Sequence, residues 1–371
     1  MNIAFAIVSI FPGGGLQRDC VAIAARLAAR GHKVTLFAEN RRGDLPDDLT
    51  IELIPNRAWT NHGRDLRFAQ DVVQRCVGRF DRLVGFSKLK ALDILYCADP
   101  CIGSRASSLF ARLTNRRHTM LDLEAASFAA GAKTQCLLLS ERQLRDFRDA
   151  WSTEPGRLTL LPPTIDRGRR QPELRTNGVR DSVRAGLGIK PDQSVWLAIA
   201  TQPRVKGLDR AMAALRDFPG ARLLVAGITT ASRHGGSLRH WARHNGVADR
   251  IGLLGMRNDI PQLMAGADLL IHPARYDTTG TVILEAVVNG LPVVTTSSCG
   301  YATHVAAADA GVVIPDPFQQ GKLTEALQLA RSAERLAGWS RNGVAYGARS
   351  DLYSGLDRAA DFVAAKPQHG A

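Results

Sequence analysis

The sequence predicts an α/β protein of two doubly wound, parallel-sheet domains. Three observations carry that expectation. Short apolar, β-branched runs alternate with helical patterns, the βαβ rhythm of a parallel sheet. The rhythm breaks once, over residues 160–180, and then resumes. At 371 residues the chain is long enough for two domains of ordinary size, each with its own core.

The elements follow in order. Residues 3–11 form an apolar run closed by Pro12, read as a buried strand. Pro12-Gly13-Gly14-Gly15 makes a turn into a helix over 16–30, and Gly31 stops it. Strands are expected at 33–38, 51–54, 82–85, 94–97 and 135–139. The break at 160–180 holds Pro162, Pro163, Pro172 and the basic cluster Arg167, Arg169 and Arg170, with no apolar period, so we read it as a linker. A second series follows: strands at 195–201, 222–227, 250–254, 268–272, 292–296 and 311–314, with helices at 207–215, 237–245, 259–265 and 280–289 between them. From Gln320 to about Ala365 the pattern is helical. The expected domains are residues 1–162 and 163–350, with a C-terminal helix in 351–371 returning to the first domain. Two such domains would face each other across a cleft, with ligands at the carboxyl ends of the strands.

Lys and Arg number 48 against 35 Asp and Glu, a net charge of +13. The excess is uneven: residues 1–180 carry 28 basic and 19 acidic side chains, net +9. Such a surface suits a polyanion, whether nucleic acid, anionic membrane or phosphorylated small molecule. No recognised nucleic-acid module is evident, and aromatic residues are only 6%, which disfavours nucleic acid. No run approaches the roughly 20 apolar residues of a membrane span. The first strand lacks the parts of a signal peptide. The six cysteines are scattered and only Cys97 and Cys101 are close, so reduced core thiols are expected and a zinc site is not.

Three rim loops hold the candidate chemistry. In the first, Gly14 and Gly15 lead into a helix whose backbone N–H groups could meet an anion; the alternative is a plain turn. Arg18 occupies the third glycine of a dinucleotide fingerprint, which disfavours a nicotinamide enzyme. Asp19 either answers the helix dipole or faces the cleft. In the second, Arg204 and Lys206 follow a strand and suit a diphosphate, or form a solvated basic loop. In the third, Asp277 and Glu285 stand eight positions apart around a helix start, Asp277 in the loop and Glu285 over two turns in. Thr279, Gly280 and Thr281 lie between them, and Gly280 and Thr281 would offer N–H groups to a phosphate. The loop acid could hold sugar hydroxyls and the helical acid a ribose diol. Cys299-Gly300-Tyr301 makes a further tight rim turn.

Phe11-Pro12-x-Gly14-Gly15-Leu16-Gln17-Arg18-Asp19, Thr60-Asn61-His62-Gly63-Arg64, Ala98-Asp99, Lys206-Gly207-x-Asp209-Arg210, Arg257-Asn258-Asp259, Ala267-Asp268-Leu269-Leu270-x-His272-Pro273, Leu284-Glu285-Ala286, Gly290-Leu291-Pro292-Val293 and Cys299-Gly300-Tyr301-Ala302 resemble the lipopolysaccharide core glucosyltransferase I family. That family belongs to the retaining glycosyltransferases of family 4, with the GT-B fold. The resemblance runs from about residue 2 to 360. It implies a UDP-sugar-dependent hexosyltransferase, metal-independent and without a cofactor, moving glucose from UDP-glucose to a heptose of the inner core. It assigns Lys206, with Arg204, to the diphosphate, Glu285 to ribose and Asp277 to the donor sugar. Gly14, Gly15 and Asp19 would lie near the diphosphate and acceptor, and Asp99 and His62 near the transfer site. Asp277 stands where the family usually has Glu, and Val205 where close relatives have a basic residue. Alternatives are another UDP-hexose or UDP-N-acetylhexosamine donor, or a non-hydrolysing sugar-nucleotide epimerase.

In residues 102–124, Ala106, Leu109, Phe110 and Leu113 share one helical face, with Arg105, Arg112, Arg116 and Arg117 nearby. Such a helix could lie on an anionic bilayer or pack into the core. The family is cytoplasmic and peripheral to the inner face of the inner membrane, which favours the bilayer. The expected partners are thus a UDP-sugar, a lipid A–inner core acceptor and an anionic membrane.

Overall fold

A computed structural model describes residues 1–11, 14–44, 46, 49–55, 60–104 and 114–365, without the side chains of Asn61 and His62. Contacts divide the chain into two compact units, Met1–Pro163 with Ser354–Ala371, and Thr164–Tyr353.

The first unit holds β1 (Asn2–Ile10), α1 (Gly15–Ala29), β2 (Lys33–Arg41), β3 (Thr50–Leu53), α2 (Asn61–Cys76), β4 (Arg82–Gly85), β5 (Ile94–Cys97), α3 (Asn115–Phe128), β6 (Gln135–Leu138), α4 (Glu141–Trp151) and β7 (Leu158–Leu160). Its seven strands run in the order β3-β2-β1-β4-β5-β6-β7, and every adjacent pair is parallel. Side chains alternate across β1. Ile3, Phe5 and Ile7 enter one core layer, and Ala4 and Ala6 the other. Both faces of β1 are thus covered, which is why it is a continuous apolar run rather than an alternating one.

The second unit holds α5 (Val179–Gly186), β8 (Ser194–Ile199), α6 (Leu208–Leu215), β9 (Ala221–Ala226), α7 (Arg233–His244), β10 (Ile251–Gly255), α8 (Ile260–Gly266), β11 (Leu269–His272), α9 (Thr281–Val288), β12 (Val293–Thr296), α10 (Ala302–Ala308), β13 (Gly311–Ile314), α11 (Gln320–Leu329) and α12 (Ala333–Arg349). The order is β10-β9-β8-β11-β12-β13, again all parallel. Trp196 and Ala198 of β8 face one layer, and Val195 and Leu197 the other.

The C-terminal helical stretch is three helices. The last, α13 (Gly355–Ala364), belongs to the first unit. It buries Leu356, Ala359, Ala360 and Val363 in the same core layer as Leu27 of α1. Arg26 of α1 and Arg30, which caps its C-terminus, pair with Asp357 and Asp361 at 2.6 and 2.9 Å. The Arg82 guanidinium donates to the carbonyls of Val363 and Phe362, at 2.6 and 3.3 Å, and of Ala365. These are orphan groups of a helix C-terminus.

The segment expected as a linker is more ordered than its prolines suggest. It opens on β7, makes 3₁₀ turns at Arg167–Arg169 and Pro172–Arg175, and ends inside α5. Contacts to the second unit order it: Asn289 accepts from Gln171 N at 2.6 Å, and Arg175 donates to Met264 O at 2.8 Å. All six cysteines are buried thiols. Among the described residues no helix is long and apolar enough to cross a membrane.

Candidate active site

The strand order of the second unit changes direction between β8 and β11. Loops leaving those two strands diverge, and α/β proteins bind ligands at such a point. Lys206 lies after β8 and Asp277 after β11. Their side chains meet, with Lys206 Nζ 2.6 Å from Asp277 Oδ2. The same carboxylate oxygen lies 3.0 Å from Nε2 of His272, the last residue of β11 and only 2% exposed.

Backbone contacts hold the rim loops together. Asp277 N donates to Ser298 O at 3.2 Å, Gly300 N to Asp277 O at 2.9 Å, and Tyr301 N to Thr279 O at 2.7 Å. Asp277 and Cys299 thus form a parallel bridge beyond the strand ends. On the other side Arg275 N donates to Val205 O at 2.8 Å, and the Arg275 guanidinium to Arg204 O at 2.7 Å. That guanidinium also grips both oxygens of Asp209, at 2.7 and 2.6 Å. The Arg204 side chain is exposed, and its carbonyl is what joins this network.

Two glycines permit the approach. Gly207 has φ +72°, and a Cβ there would lie 2.0 Å from Pro273 O. Gly280, at φ +82°, caps the N-terminus of α9 and offers no side chain to its amides. Thr281 is the first residue of α9. Glu285 is therefore four residues into the helix, just over one turn rather than over two, because the helix starts after Gly280 and not at Asp277. Its carboxylate is 3.5 Å from Arg169 Nη1. Asn289 Nδ2 donates to both Glu285 O and Arg169 O at 2.8 Å, which fixes the pair's backbones.

The electrostatics follow. Burial alone would push His272 down, but hydrogen bonds to Asp277 and Cys299 outweigh it and raise the imidazole to about 9. Burial would raise Asp277, but the hydrogen bond and charge of His272 and the charge of Lys206 bring it to about 2. The Cys299 thiol, also buried, is held below its ordinary range by the hydrogen bond with His272. His272 is thus an imidazolium at neutral pH and Asp277 a carboxylate.

The first unit carries the other expected residues. Helix α1 starts at Gly15, so Asp19 lies beyond its first turn. The dipole role considered for it fails, because that effect fades within one turn. Instead Asp19 Oδ2 accepts from Tyr96 Oη at 2.9 Å. Burial raises the carboxyl above its ordinary value, and the tyrosine offsets part of that. Gly14 caps α1; a Cβ there would meet the Gln17 side chain at 1.8 Å. Asp99 is exposed, and its carbonyl accepts from Gln143 Nε2 at 2.9 Å. His62 lies in the first turn of α2, where Thr60 Oγ1 accepts from Gly63 N at 3.2 Å; its side chain is outside the described part. Of the four arginines expected at a membrane, Arg105 and Arg112 lie outside the described residues, as does the apolar face at 106–113. Arg116 and Arg117 open α3, with Arg116 exposed and Arg117 half-buried.

The cation–carboxylate pairing of Lys206 with Asp277 and the uncapped helix beside it make a site for a polar, anionic ligand. A family model for glycosyl transferases, group 1, matches residues 179–343. The lipopolysaccharide glucosyltransferase WaaG of Escherichia coli (strain K12) is 37% identical over 98% of this chain and 98% of its own. The chain belongs to the lipopolysaccharide core glucosyltransferase family. A crystal structure of WaaG, a glycosyltransferase involved in lipopolysaccharide biosynthesis, superposes with a TM-score of 0.88 at 36% identity, over 98% of this chain and 99% of that one. The Anabaena protein HepE, crystallised with UDP and glucose, shares the fold at a TM-score of 0.73 and 18% identity, over 97% of this chain and 98% of that one. This family member is a glycosyltransferase of the GT-B fold.

Sequence reasoning assigned no role to His272, Arg169, Arg275 or Tyr96. His272 was visible as the end of an apolar strand and inside a string that resembles the family, with no role attached to it. Arg169 lies 116 residues from its partner Glu285, so no local spacing signals the pair.

The His272–Asp277 pair has a defined pH window. The His272 value is raised from 6.5 to about 9, so its stabilisation is complete below about 6.5 and is lost as pH rises through about 9. The Asp277 value is lowered from 3.8 to about 2, so its stabilisation is complete above about 3.8 and is lost as pH falls through about 2. Urea unfolding of the protein should therefore show stability declining between about pH 6.5 and 9, and His272→Gln should flatten that decline. A decline of equal size in the variant would contradict the assignment.

Proposed function

We propose that this glycosyltransferase moves glucose from UDP-glucose, with retention, onto a heptose of the lipopolysaccharide inner core. The observation that carries the proposal is the Lys206–Asp277–His272 cluster at the switch point of the second unit, beside the N-terminus of α9. In the proposed reaction the donor's C1–O bond to the diphosphate breaks while an acceptor hydroxyl oxygen bonds C1 on the same face. The hydroxyl proton passes to the leaving phosphate oxygen. Lys206 and the amides of Gly280 and Thr281 stabilise the charge growing on that diphosphate. Asp277 accepts from the donor sugar's hydroxyls, and Glu285 from the ribose diol. In this reading the reaction uses no metal and no cofactor, the positive charge at the diphosphate coming from Lys206 and the amides at the start of α9. Asp19, Asp99 and His62 serve the acceptor side, where the raised value of Asp19 suits a hydrogen-bonding acid.

One observation favours a second donor. Asp277 is one methylene shorter than the family's usual Glu, so a different UDP-hexose or a UDP-N-acetylhexosamine remains an outcome of the donor test.

The enzyme works at the cytoplasmic face of the inner membrane, on a lipid A–inner core acceptor. Support comes from the net +9 of residues 1–180 and from the arginines around residues 105–117.

A thermal-shift screen of UDP-, GDP- and ADP-sugars tests the donor. UDP-glucose at about 100 times its dissociation constant should stabilise the protein by about 2.7 kcal/mol. Lys206→Ala should lower kcat by about 10²–10³-fold. No response to any UDP-sugar, or full activity in the variant, would overturn the proposal; turnover of donor without acceptor would instead point to an epimerase. Separately, replacing Arg105, Arg112, Arg116 and Arg117 together by Gln should weaken binding to anionic vesicles and spare UDP-sugar binding. Unchanged vesicle binding would return those charges to the solvated surface.

A further inference from the structure

Two cations share one oxygen of Asp277, and they differ in kind. Lys206 sits on a flexible stem and is 23% exposed. His272 ends a buried strand and is 2% exposed. Its ring also hydrogen-bonds Cys299. Thr295 Oγ1 in turn bridges His272 O at 3.0 Å and Cys299 Sγ at 3.4 Å. The backbone bridge between Asp277 and Cys299 closes the circuit. Lys206 can therefore change partner, whereas His272 cannot move without disrupting β11, β12 and the bridge.

A diphosphate carries more charge than one carboxylate and will draw Lys206 toward itself. Asp277 would then be a buried anion with its mobile counter-ion gone, which is costly unless another cation remains. Resting on the donor-site reading above, we propose that His272 is the positioning residue of the transfer: it holds Asp277 by Oδ2 after Lys206 turns to the diphosphate, and so keeps the carboxylate aimed at the donor sugar. The titratable groups facing its ring are Asp277 and Cys299, with Lys206 one contact away through Asp277. Cys299 acts through the ring as its second anchor.

The test compares His272→Leu, which removes charge and donor, with His272→Gln, which retains an N–H donor. Steady-state kinetics of the full chain with UDP-glucose and acceptor should show kcat/KM falling about 10²-fold in the Leu variant, the usual size of a misplaced reacting group. The Gln variant should recover about tenfold of that loss. The parent's kcat/KM should decline as pH rises through about 9, and in the Gln variant, which has no imidazole to titrate, that decline should be absent. In an Asp277→Asn background, His272→Leu should have no further effect, because both act at one point. Parental kcat/KM in the Leu variant, equal losses in Leu and Gln, the same alkaline decline in the Gln variant, or additive losses with Asp277→Asn would each overturn the proposal. Parental kcat/KM in Asp277→Asn alone would instead overturn the donor-site assignment of Asp277.

Discussion

The second unit is organised around a carboxylate that cannot stand alone. Asp277 is held at one oxygen by Lys206 and His272, and its backbone bridges to the loop of Cys299. Removing one partner of a buried pair typically costs about 3–5 kcal/mol, because the other charge is stranded. That constraint explains much of the local sequence. Gly207 must be glycine for the Lys206 loop to approach Pro273, and Gly280 must turn the chain into α9. Arg275 clips the Lys206 loop to the Asp277 loop through Arg204 O and Asp209.

The fold was legible because its inner strands, such as β4, β5 and β11, are buried on both faces, and an outer one such as β13 is still a short apolar run. Runs such as Ile94–Cys97 and Gly311–Ile314 are short, apolar and bounded by turns, and both match their expected limits. Helices of the first unit were harder. Helix α4 buries only Gln143 and Phe147 within a charged sequence, so little apolar period marks it. The chain at 160–180 carries prolines and arginines, which read locally as a linker. What orders it is tertiary, through Asn289 and the carbonyls of α8.

The site was legible in its loops and not in its supports. Glycines, a lysine and paired acids after strand ends announce a rim that binds an anionic ligand. The spatial partners do not announce themselves. His272 reaches Cys299 across 27 residues of sequence, and Tyr96 reaches Asp19 across 77. The same holds for the buried pair of Lys88 and Glu124, 2.5 Å apart, where Glu124 also accepts from the amides of Ile102 and Gly103. That pair anchors the chain just after Asp99, and neither residue lies in a recognisable motif.

The central claim is that Asp277 is both the resting counter-ion of Lys206 and the acceptor for the donor sugar. Those two roles have opposite consequences when its charge is removed, and calorimetric titration of UDP and UDP-glucose into Asp277→Asn separates them. The account predicts that UDP binds the variant more tightly than the parent, because Lys206 is released, while UDP-glucose loses the extra affinity that its sugar contributes. Weaker UDP binding in the variant, or an undiminished contribution from the sugar, would contradict it.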